Sequence, residues 1–245
     1  MNFPIIFAHR GANSFAPENS LAAIHKAIEL GCDGIELDVR LSADGEVVVF
    51  HDRNTLRMTG TPGSVGRLPL SRLKQFRLLQ RDEPAESIPT LQEALELAGD
   101  KILINLDVKK ESMVKNGVEE KVIKILQDQH LEENIIISSF NPMVLNKFRS
   151  MNPNLHLGFI YRNRSSLLML NGQPVRSMHV RYRLLSLRHL KNLRQRGCRI
   201  YAWTVDDPAA IRDLMNKNVD GIITNRPELY FSLKDRIIRD ENRTG

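Results

Sequence analysis

Short apolar runs alternate with longer segments of helical period along most of the chain. The runs predict strands at residues 4–9, 34–39, 46–50, 102–108, 135–138, 155–160, 199–203 and 221–224. The longer segments predict helices at residues 19–30, 91–98, 118–129, 142–149, 187–196 and 208–216, with a terminal helix after Pro227. Strands that alternate with helices of this length predict βαβ units and a parallel sheet.

The number and length of these units decide between two parallel-sheet folds. About eight strand–helix units fit a (β/α)8 TIM barrel better than an open sheet. A doubly wound sheet is the alternative, but no GxGxxG motif follows the first strand. Residues 53–89 show no clean period. We therefore predict one domain over residues 1–245, with a small insertion after the second strand at residues 53–89.

Charge and hydropathy restrict the partners of the chain. The net charge of +6 comes from basic residues spread along the sequence, so we expect a small anionic substrate and no nucleic-acid partner. No apolar stretch approaches the roughly 18 residues of a spanning helix, and the N-terminus lacks the basic start of a signal peptide. We expect a cytoplasmic protein without stable membrane insertion, in which Cys32 and Cys198 are reduced.

Two carboxylates lie close together in the second strand. Glu36 and Asp38 are two residues apart, and alternating side chains point them to the same face. In a barrel interior such a pair is costly unless a cation lies between the carboxylates, and paired oxygens suit Mg²⁺ or Ca²⁺. The alternative is a strand with a solvent-facing polar side, which an edge position would permit.

Two histidines are candidates for proton transfer, because imidazole titrates near neutral pH. His9 ends the first strand and precedes Arg10, whose guanidinium suits a phosphate. The alternative is a loop histidine beside a surface arginine. His51 closes the hairpin strand next to Asp52, a carboxylate that would orient its ring, and it would face the same cavity as His9.

Asp107 and Lys109 repeat the spacing of two at the end of another strand. They offer a third oxygen ligand and a cation for a phosphate oxygen; the alternative for Lys109 is a surface ion pair with Glu111. All these groups fall at predicted carboxyl ends of strands, where barrel active sites lie. A phosphodiester needs its charge neutralised, a base and an acid, and the group supplies a candidate for each task.

Together these motifs resemble the glycerophosphodiester phosphodiesterase family. AHRGANSFAPENSLAA at residues 8–23 looks like the family's HRG…PENT signature, with Ser20 for the usual threonine. GIELDVRLSADGEVVVFHD at residues 34–52 is similar to its E-x-D and H-D motifs. IPTLQEAL, YAWTVDDP and VDGIITNRP resemble its later landmarks, so the likeness runs from His9 to Pro227.

The resemblance implies metal-dependent hydrolysis of glycerophosphodiesters to sn-glycerol 3-phosphate and an alcohol such as choline or ethanolamine. It also implies a (β/α)8 barrel and a divalent cofactor, Mg²⁺ or Ca²⁺. The family's roles carry over to metal ligands Glu36, Asp38 and Asp107, acid–base histidines His9 and His51, phosphate contacts Arg10 and Lys109, and Trp203 on the glycerol side of the pocket. For Trp203 a buried core position is the alternative. His9 is expected to be the base and His51 the acid.

Two positions depart from the family's pattern. Asp107 stands where glutamate is usual and reaches about 1.3 Å less far on standard bond lengths, so a metal would be held more loosely or through water. Asn225 stands where aspartate is common, which removes a charge from the last loop. Two other functions stay open: a phosphodiesterase acting on lysophospholipids, with residues 167–170 and the insertion lining an apolar groove, and a non-catalytic binding barrel. The sequence specifies neither the alcohol, nor the metal, nor the oligomeric state.

Overall fold

A computed structural model describes residues 3–79, 86–110 and 117–244. These residues form nine strands: β1 (Ile5–His9), β2 (Gly34–Leu41), β3 (Val47–Val49), β4 (Leu103–Val108), β5 (Ile135–Ser139), β6 (His156–Tyr161), β7 (Ser177–Arg181), β8 (Arg199–Trp203) and β9 (Gly221–Thr224). They also form ten helices: α1 (Leu21–Glu29), α2 (Leu56–Thr59), α3 (Leu70–Leu73), α4 (Leu91–Ala98), α5 (Val118–Asp128), α6 (Pro142–Met151), α7 (Ser166–Met169), α8 (Leu187–Arg194), α9 (Pro208–Asn216) and α10 (Pro227–Thr244). Three 3₁₀ turns lie at Val65–Arg67, Glu132–Asn134 and Tyr182–Leu184.

Eight of these strands close a parallel ring. The hydrogen-bonding order is β1-β9-β8-β7-β6-β5-β4-β2, and β1 pairs with β2 to complete the circle. The ninth strand, β3, lies outside the ring and pairs antiparallel with β2, with Val39 opposite Val49. Helices lie between the ring strands along the chain. The predicted (β/α)8 TIM barrel is confirmed.

The ring contains one strand that the sequence did not predict. The predicted strand at residues 46–50, which brought the predicted number to eight, forms β3 and is only the outer arm of a hairpin. The eighth ring strand is β7, whose sequence SMHVR alternates polar and apolar residues. Ser177 and His179 are both buried and contact each other, Ser177 Oγ to His179 Nε2, at 3.0 Å. A search for apolar runs therefore missed β7, because half of its buried side chains are polar.

Polar side chains cap the start of α1, α4, α6, α8 and α9. Ser20 accepts the backbone N–H of Ala23 at the start of α1. Thr90 forms a capping box with Glu93 at the start of α4, in which each side chain accepts the other residue's backbone N–H. Such caps satisfy N–H groups that have no partner within the helix, and so fix where each loop ends.

Large side chains inside the ring lie against glycines of neighbouring strands. Phe7 is in register with Gly34, and Tyr201 with Gly221. A Cβ at Gly34 would overlap the Phe7 ring, and one at Gly221 would lie 2.8 Å from the Tyr201 ring. The missing side chains therefore leave room for the aromatic rings that close the inside of the barrel. This inner cluster consists of Phe7, Ile136, Tyr201 and Ile223.

The segment between β3 and α4 contributes a small core of its own. Its helices α2 and α3 and the 3₁₀ turn at Val65–Arg67 lie beside the hairpin, and residues 80–85 fall outside the described part. The buried apolar residues of this core are Val48, Phe50, Val65, Leu73, Phe76, Leu78 and Ile88. Of the helices in the described residues, none is long and apolar enough to cross a bilayer.

Candidate active site

The strand ends at one mouth of the barrel surround a cavity of about 240 Å³. Strand register sets its acidic side, since His9 lies opposite Glu36 and Asp38 lies opposite Asp107. All eight site residues predicted from the sequence line this cavity: His9, Arg10, Glu36, Asp38, His51, Asp107, Lys109 and Trp203. The rest of the lining consists of Asn105, Phe140, Ile160, Arg162, His179 and Ile223.

Three buried carboxylates form the acidic side of the cavity. One oxygen from each of Glu36, Asp38 and Asp107 lies within 4.8 Å of the others. Burial, together with the charges of Asp38 and Asp107, raises the pKa of Glu36 well above its ordinary value. Burial also raises the pKa of Asp107. Glu36 and Asp38 are 5% and 1% exposed, so the alternative of a solvent-facing polar strand is excluded.

Lys109 and Arg10 are the positive charges beside this cluster. The Lys109 ammonium lies 2.9 Å from Asp38 Oδ1 and also contacts a carboxylate oxygen of Asp107. Arg10 Nε lies 3.2 Å from Asp38 Oδ2. Burial alone would raise the pKa of Asp38, but these two cations hold it well below its ordinary value. Glu111, the alternative partner of Lys109, lies outside the described residues.

Asn19 fixes the orientation of Asp38, and the sequence did not predict it as a site residue. Its Nδ2 donates to Asp38 Oδ2 at 2.9 Å, while its Oδ1 accepts the backbone N–H of Asp38 at 3.1 Å. The φ angle of 60° places Asn19 in the left-handed region, which asparagine tolerates better than most residues. The available signal was the PENS segment, in which Asn19 immediately precedes the helix cap Ser20.

Asn225 holds His9 in one orientation. The Nδ2 of Asn225 donates to Asp206 Oδ2 at 2.6 Å, so the amide oxygen faces His9 and accepts from His9 Nδ1 at 2.6 Å. The proton on Nδ1 leaves a lone pair on His9 Nε2, which lies 3.8 Å from Glu36 Oε2. Burial, followed by the charge of Arg10, lowers the pKa of His9 to about 4. The ring is therefore neutral at neutral pH.

His51 is oriented by a chain of charged side chains. Its Nδ1 lies 2.6 Å from Asp52 Oδ1, and Arg57 Nε donates to Asp52 Oδ2 at 2.6 Å. Arg57 Nη2 also donates to Glu18 Oε1 at 2.6 Å. Burial would raise the pKa of Asp52, but the hydrogen bonds from Arg57 and His51 lower it to about 2. Asp52 is thus ionised near neutral pH and available to hold the imidazole.

Two aromatic residues, Trp203 and Phe140, form a further part of the cavity wall. Trp203 Nε1 donates to the His179 carbonyl at 3.0 Å, and the indole meets the Phe140 ring edge-on at 5.7 Å. The Lys109 ammonium lies 5.6 Å from the centre of the Phe140 ring. Trp203 is half-buried and lines the cavity, so the alternative of a core tryptophan is excluded.

The acidic cluster fits a divalent metal ion. Carboxylate oxygens are the ligands that Mg²⁺ and Ca²⁺ prefer. Asp107 Oδ1 is buried and has no hydrogen-bond partner among the described residues. Burial, and then the charge of neighbouring carboxylates, raises the pKa values of Glu36 and Asp107, and a bound cation would offset both effects. Within the described residues, Glu36, Asp38 and Asp107 are the group of carboxylates placed to share one ion.

Known proteins share the sequence of this chain over most of its length. Residues 9–229 match the family described as the glycerophosphoryl diester phosphodiesterase family. A glycerophosphodiester phosphodiesterase of Caldanaerobacter subterraneus is 36% identical over 237 residues, covering 94% of this chain and 97% of that protein. A glycerophosphodiester phosphodiesterase of Bacillus altitudinis is 29% identical, covering 95% of this chain and 98% of that protein.

Solved structures share the fold as well. A phosphodiesterase from Oleispira antarctica, solved in complex with the product sn-glycerol-3-phosphate, has a TM-score of 0.86 and 26% identity, covering 95% of this chain and 97% of that one. A glycerophosphodiester phosphodiesterase from Thermotoga maritima has a TM-score of 0.77 and 28% identity, covering 96% of this chain and 99% of that one. The chain belongs to the glycerophosphoryl diester phosphodiesterase family, a family of phosphoric diester hydrolases.

Proposed function

We propose that this protein hydrolyses glycerophosphodiesters to sn-glycerol 3-phosphate and an alcohol, using His9 and His51 for proton transfer. One observation carries the proposal: a single cavity is lined by His9 and His51, by three carboxylates, and by cationic side chains that include Arg10 and Lys109. A phosphodiester hydrolase requires a base, an acid and positive charge around the phosphate, and the cavity contains groups for all three. The Oleispira antarctica relative, solved with sn-glycerol-3-phosphate, supports this product.

Glu36, Asp38 and Asp107 would hold a divalent cation, Mg²⁺ or Ca²⁺. When bound, the ion would polarise a phosphoryl oxygen and offset the charge that develops on it. Lys109 and Arg10 would contact the other phosphate oxygens, because their nitrogens already lie at the cavity wall beside Asp38.

His9 is suited to be the base. Its Nδ1 is committed to Asn225, so Nε2 has the lone pair that accepts a proton, and a pKa of about 4 keeps the ring neutral before reaction. The proton would come from the attacking hydroxyl, either a water molecule or the glycerol 2-hydroxyl.

His51 is suited to be the acid. Its Nδ1 pairs with Asp52, which leaves Nε2 to give a proton to the departing alcohol, and a carboxylate partner stabilises an imidazolium ring. Trp203 would lie beside the glycerol. The two free thiols, Cys32 and Cys198, fit a reducing compartment such as the cytoplasm.

The lysophospholipid alternative has less support. An apolar groove from residues 167–170 and the insertion would have to adjoin the reacting phosphate. Met58 and Leu79 of the insertion line a neighbouring cavity that shares His9 and Arg10 with the site, but residues 167–170 contribute nothing to the groove. Leu170 is buried in the core and Leu168 is 82% exposed, and none of the four residues belongs to the lining of the cavity among the described residues. A non-catalytic barrel is also disfavoured, because binding alone gives no reason for two imidazoles each oriented by its own partner.

Substitution of the two histidines tests the acid–base roles. His9→Ala and His51→Ala are each expected to lower turnover of glycerophosphocholine by about 10²- to 10⁴-fold. His25→Ala is the matched control, because His25 is exposed on α1 and, among the described residues, forms an ion pair with Glu29 alone. Circular dichroism and thermal melts establish that each variant is folded. Wild-type rates in both folded variants would overturn the proposal.

Metal binding is tested by a measurement that does not depend on turnover. A cation that binds only the folded chain raises the thermal midpoint by mass action. We expect Mg²⁺ or Ca²⁺ to raise the midpoint of chelator-treated protein, and the rise to be smaller in Asp107→Asn, which keeps the size of the side chain and removes its charge. An equal rise in both proteins would exclude Asp107 as a ligand.

A further inference from the structure

A second cavity adjoins the active-site cavity at the same mouth of the barrel. Its volume is about 720 Å³. Trp203 and Arg162 line both cavities, so a ligand longer than the reacting group would pass along them from one to the other. The lining of the second cavity consists of Arg162, Arg181, Tyr182, Arg183, Trp203, Thr204, Asp206 and Asp207.

Three guanidinium groups outnumber the two carboxylates in the lining of this second cavity. Arg162 directly follows β6, Arg181 ends β7, and Arg183 lies in the 3₁₀ turn after it, so successive strand ends bring them to one place. All three are exposed. In the part of the chain that the structure describes, no carboxylate lies within ion-pair distance of any of them. Arg183 instead donates from Nε to the Tyr182 hydroxyl at 3.2 Å, with its guanidinium carbon 5.7 Å from the ring centre.

The two acidic residues of the lining are engaged in holding the loops. Asp206 accepts hydrogen bonds from Thr224 Oγ1 at 3.0 Å and from the backbone and side-chain nitrogens of Asn225 at 2.8 and 2.6 Å. Asp207 caps α9 by accepting the backbone N–H of Ala209 at 3.1 Å. Both carboxylates therefore have hydrogen-bond donors within the protein, whereas the arginine side chains line the cavity and have no acidic partner in the described ranges.

We propose that Arg162, Arg181 and Arg183 bind a second anionic group of the substrate, beyond the phosphodiester that is cleaved. This inference rests on the proposed function and narrows its substrate class to diesters that carry a further phosphate or carboxylate. Guanidinium groups bind such oxyanions with paired, charge-assisted hydrogen bonds. Trp203, fixed by its hydrogen bond to the His179 carbonyl, lies where the two cavities meet.

Two matched substrates test this inference. Glycerophosphoglycerol has one phosphodiester, and 1,3-bis(glycerophospho)glycerol has the same group with a second phosphodiester on the far hydroxyl. We expect the wild-type kcat/KM to be about 10- to 100-fold higher for the second compound, because one charge-assisted contact made in the transition state raises kcat/KM by about this factor. The double variant Arg181→Gln/Arg183→Gln should bring this ratio close to one. The control is Arg212→Gln, which removes an exposed charge from α9 and should keep the ratio.

The outcomes separate this inference from the proposed function. If wild type and double variant both hydrolyse the two compounds, and each protein does so with the same kcat/KM for either compound, the second anion site is refuted and the hydrolase function stands. Turnover of neither compound would refute the hydrolase. In that case calorimetry still decides the anion site. We would measure binding of 1,3-bis(glycerophospho)glycerol to His51→Ala with and without the added Arg181→Gln/Arg183→Gln substitutions. Binding that weakens at least tenfold with the added substitutions supports the site, and unchanged binding overturns it.

Discussion

Asn19→Ala is expected to damage both the stability of the barrel and its site. Asn19 is 1% exposed and makes a pair of hydrogen bonds with Asp38, one to the carboxylate and one from the backbone N–H. Alanine removes both bonds, and no other described side chain bonds to that N–H of Asp38. It also places an ordinary residue at a φ of 60°.

The contacts give the magnitude of the loss. The unpaired backbone N–H of Asp38 costs about 1–3 kcal/mol, and the bond to its carboxylate adds about 1 kcal/mol, because Lys109 and Arg10 still pair with that carboxylate. The left-handed backbone adds about 1 kcal/mol. The sum of about 3–5 kcal/mol corresponds to a thermal midpoint lowered by roughly 10 °C in a chain of this length.

Thermal melts at fixed pH and scan rate measure this loss. Asn218→Ala is the matched control, since Asn218 also has a left-handed φ, 52°, but is exposed and its side chain has no hydrogen-bond partner in the described structure. Its midpoint should fall by only about 2–4 °C. Equal shifts in the two variants would show that the Asp38 contacts contribute nothing and refute the reasoning. At temperatures where Asn19→Ala is folded, we also expect slower turnover, because Asp38 is no longer oriented.

Three further predictions concern other parts of the barrel. Gly34→Ala should destabilise the fold by about 1–3 kcal/mol, since its Cβ would overlap the Phe7 ring, and Phe7→Leu in the same chain should recover part of the loss in the melting midpoint. Burial lowers the pKa of His179 to about 3, whereas the pKa in the unfolded chain is 6.5. Between pH 6.5 and pH 3, His179 is therefore protonated in the unfolded state but not in the folded state. Stability should therefore fall as pH decreases from 6.5, less steeply in His179→Gln, and parallel slopes in melts at pH 7 to 4 would contradict this. Asp107→Glu, which restores the longer carboxylate, should lower the metal concentration that gives half-maximal turnover after chelation; an unchanged or higher concentration would mean that the shorter side chain does not limit binding.

The apolar period of the chain was sufficient to predict most of the ring. The bounds of β8 and β9 match the predicted ranges, because short apolar strands follow clear turn residues there. β7 could not be predicted in the same way, since Ser177 and His179 are buried polar residues that satisfy each other inside the barrel. Their suitability for the interior depends on strands that are distant in sequence.

The candidate site was predictable where its geometry is local. Glu36 and Asp38 share a face because strand side chains alternate, and this needs no knowledge of the fold. The contacts of Asn19 and Asn225 join residues 19 and 216 positions apart, so no local spacing indicates them. From the sequence, Asn225 is predicted only to remove a charge from the last loop. In the structure its amide oxygen accepts from His9 Nδ1 and so determines which nitrogen of His9 has the proton.

The first strand of the ring can complete its hydrogen bonding only when the last strand is present. The groups proposed for proton transfer, metal binding and phosphate contact all lie before residue 110, but β1 receives its second neighbour only from β9, and the Tyr230 hydroxyl then donates to the Pro4 carbonyl. A nascent chain on the ribosome would thus have every reactive side chain synthesised and still lack an assembled pocket. Activity should begin only once residues 221–230 have emerged and β9 has paired with β1.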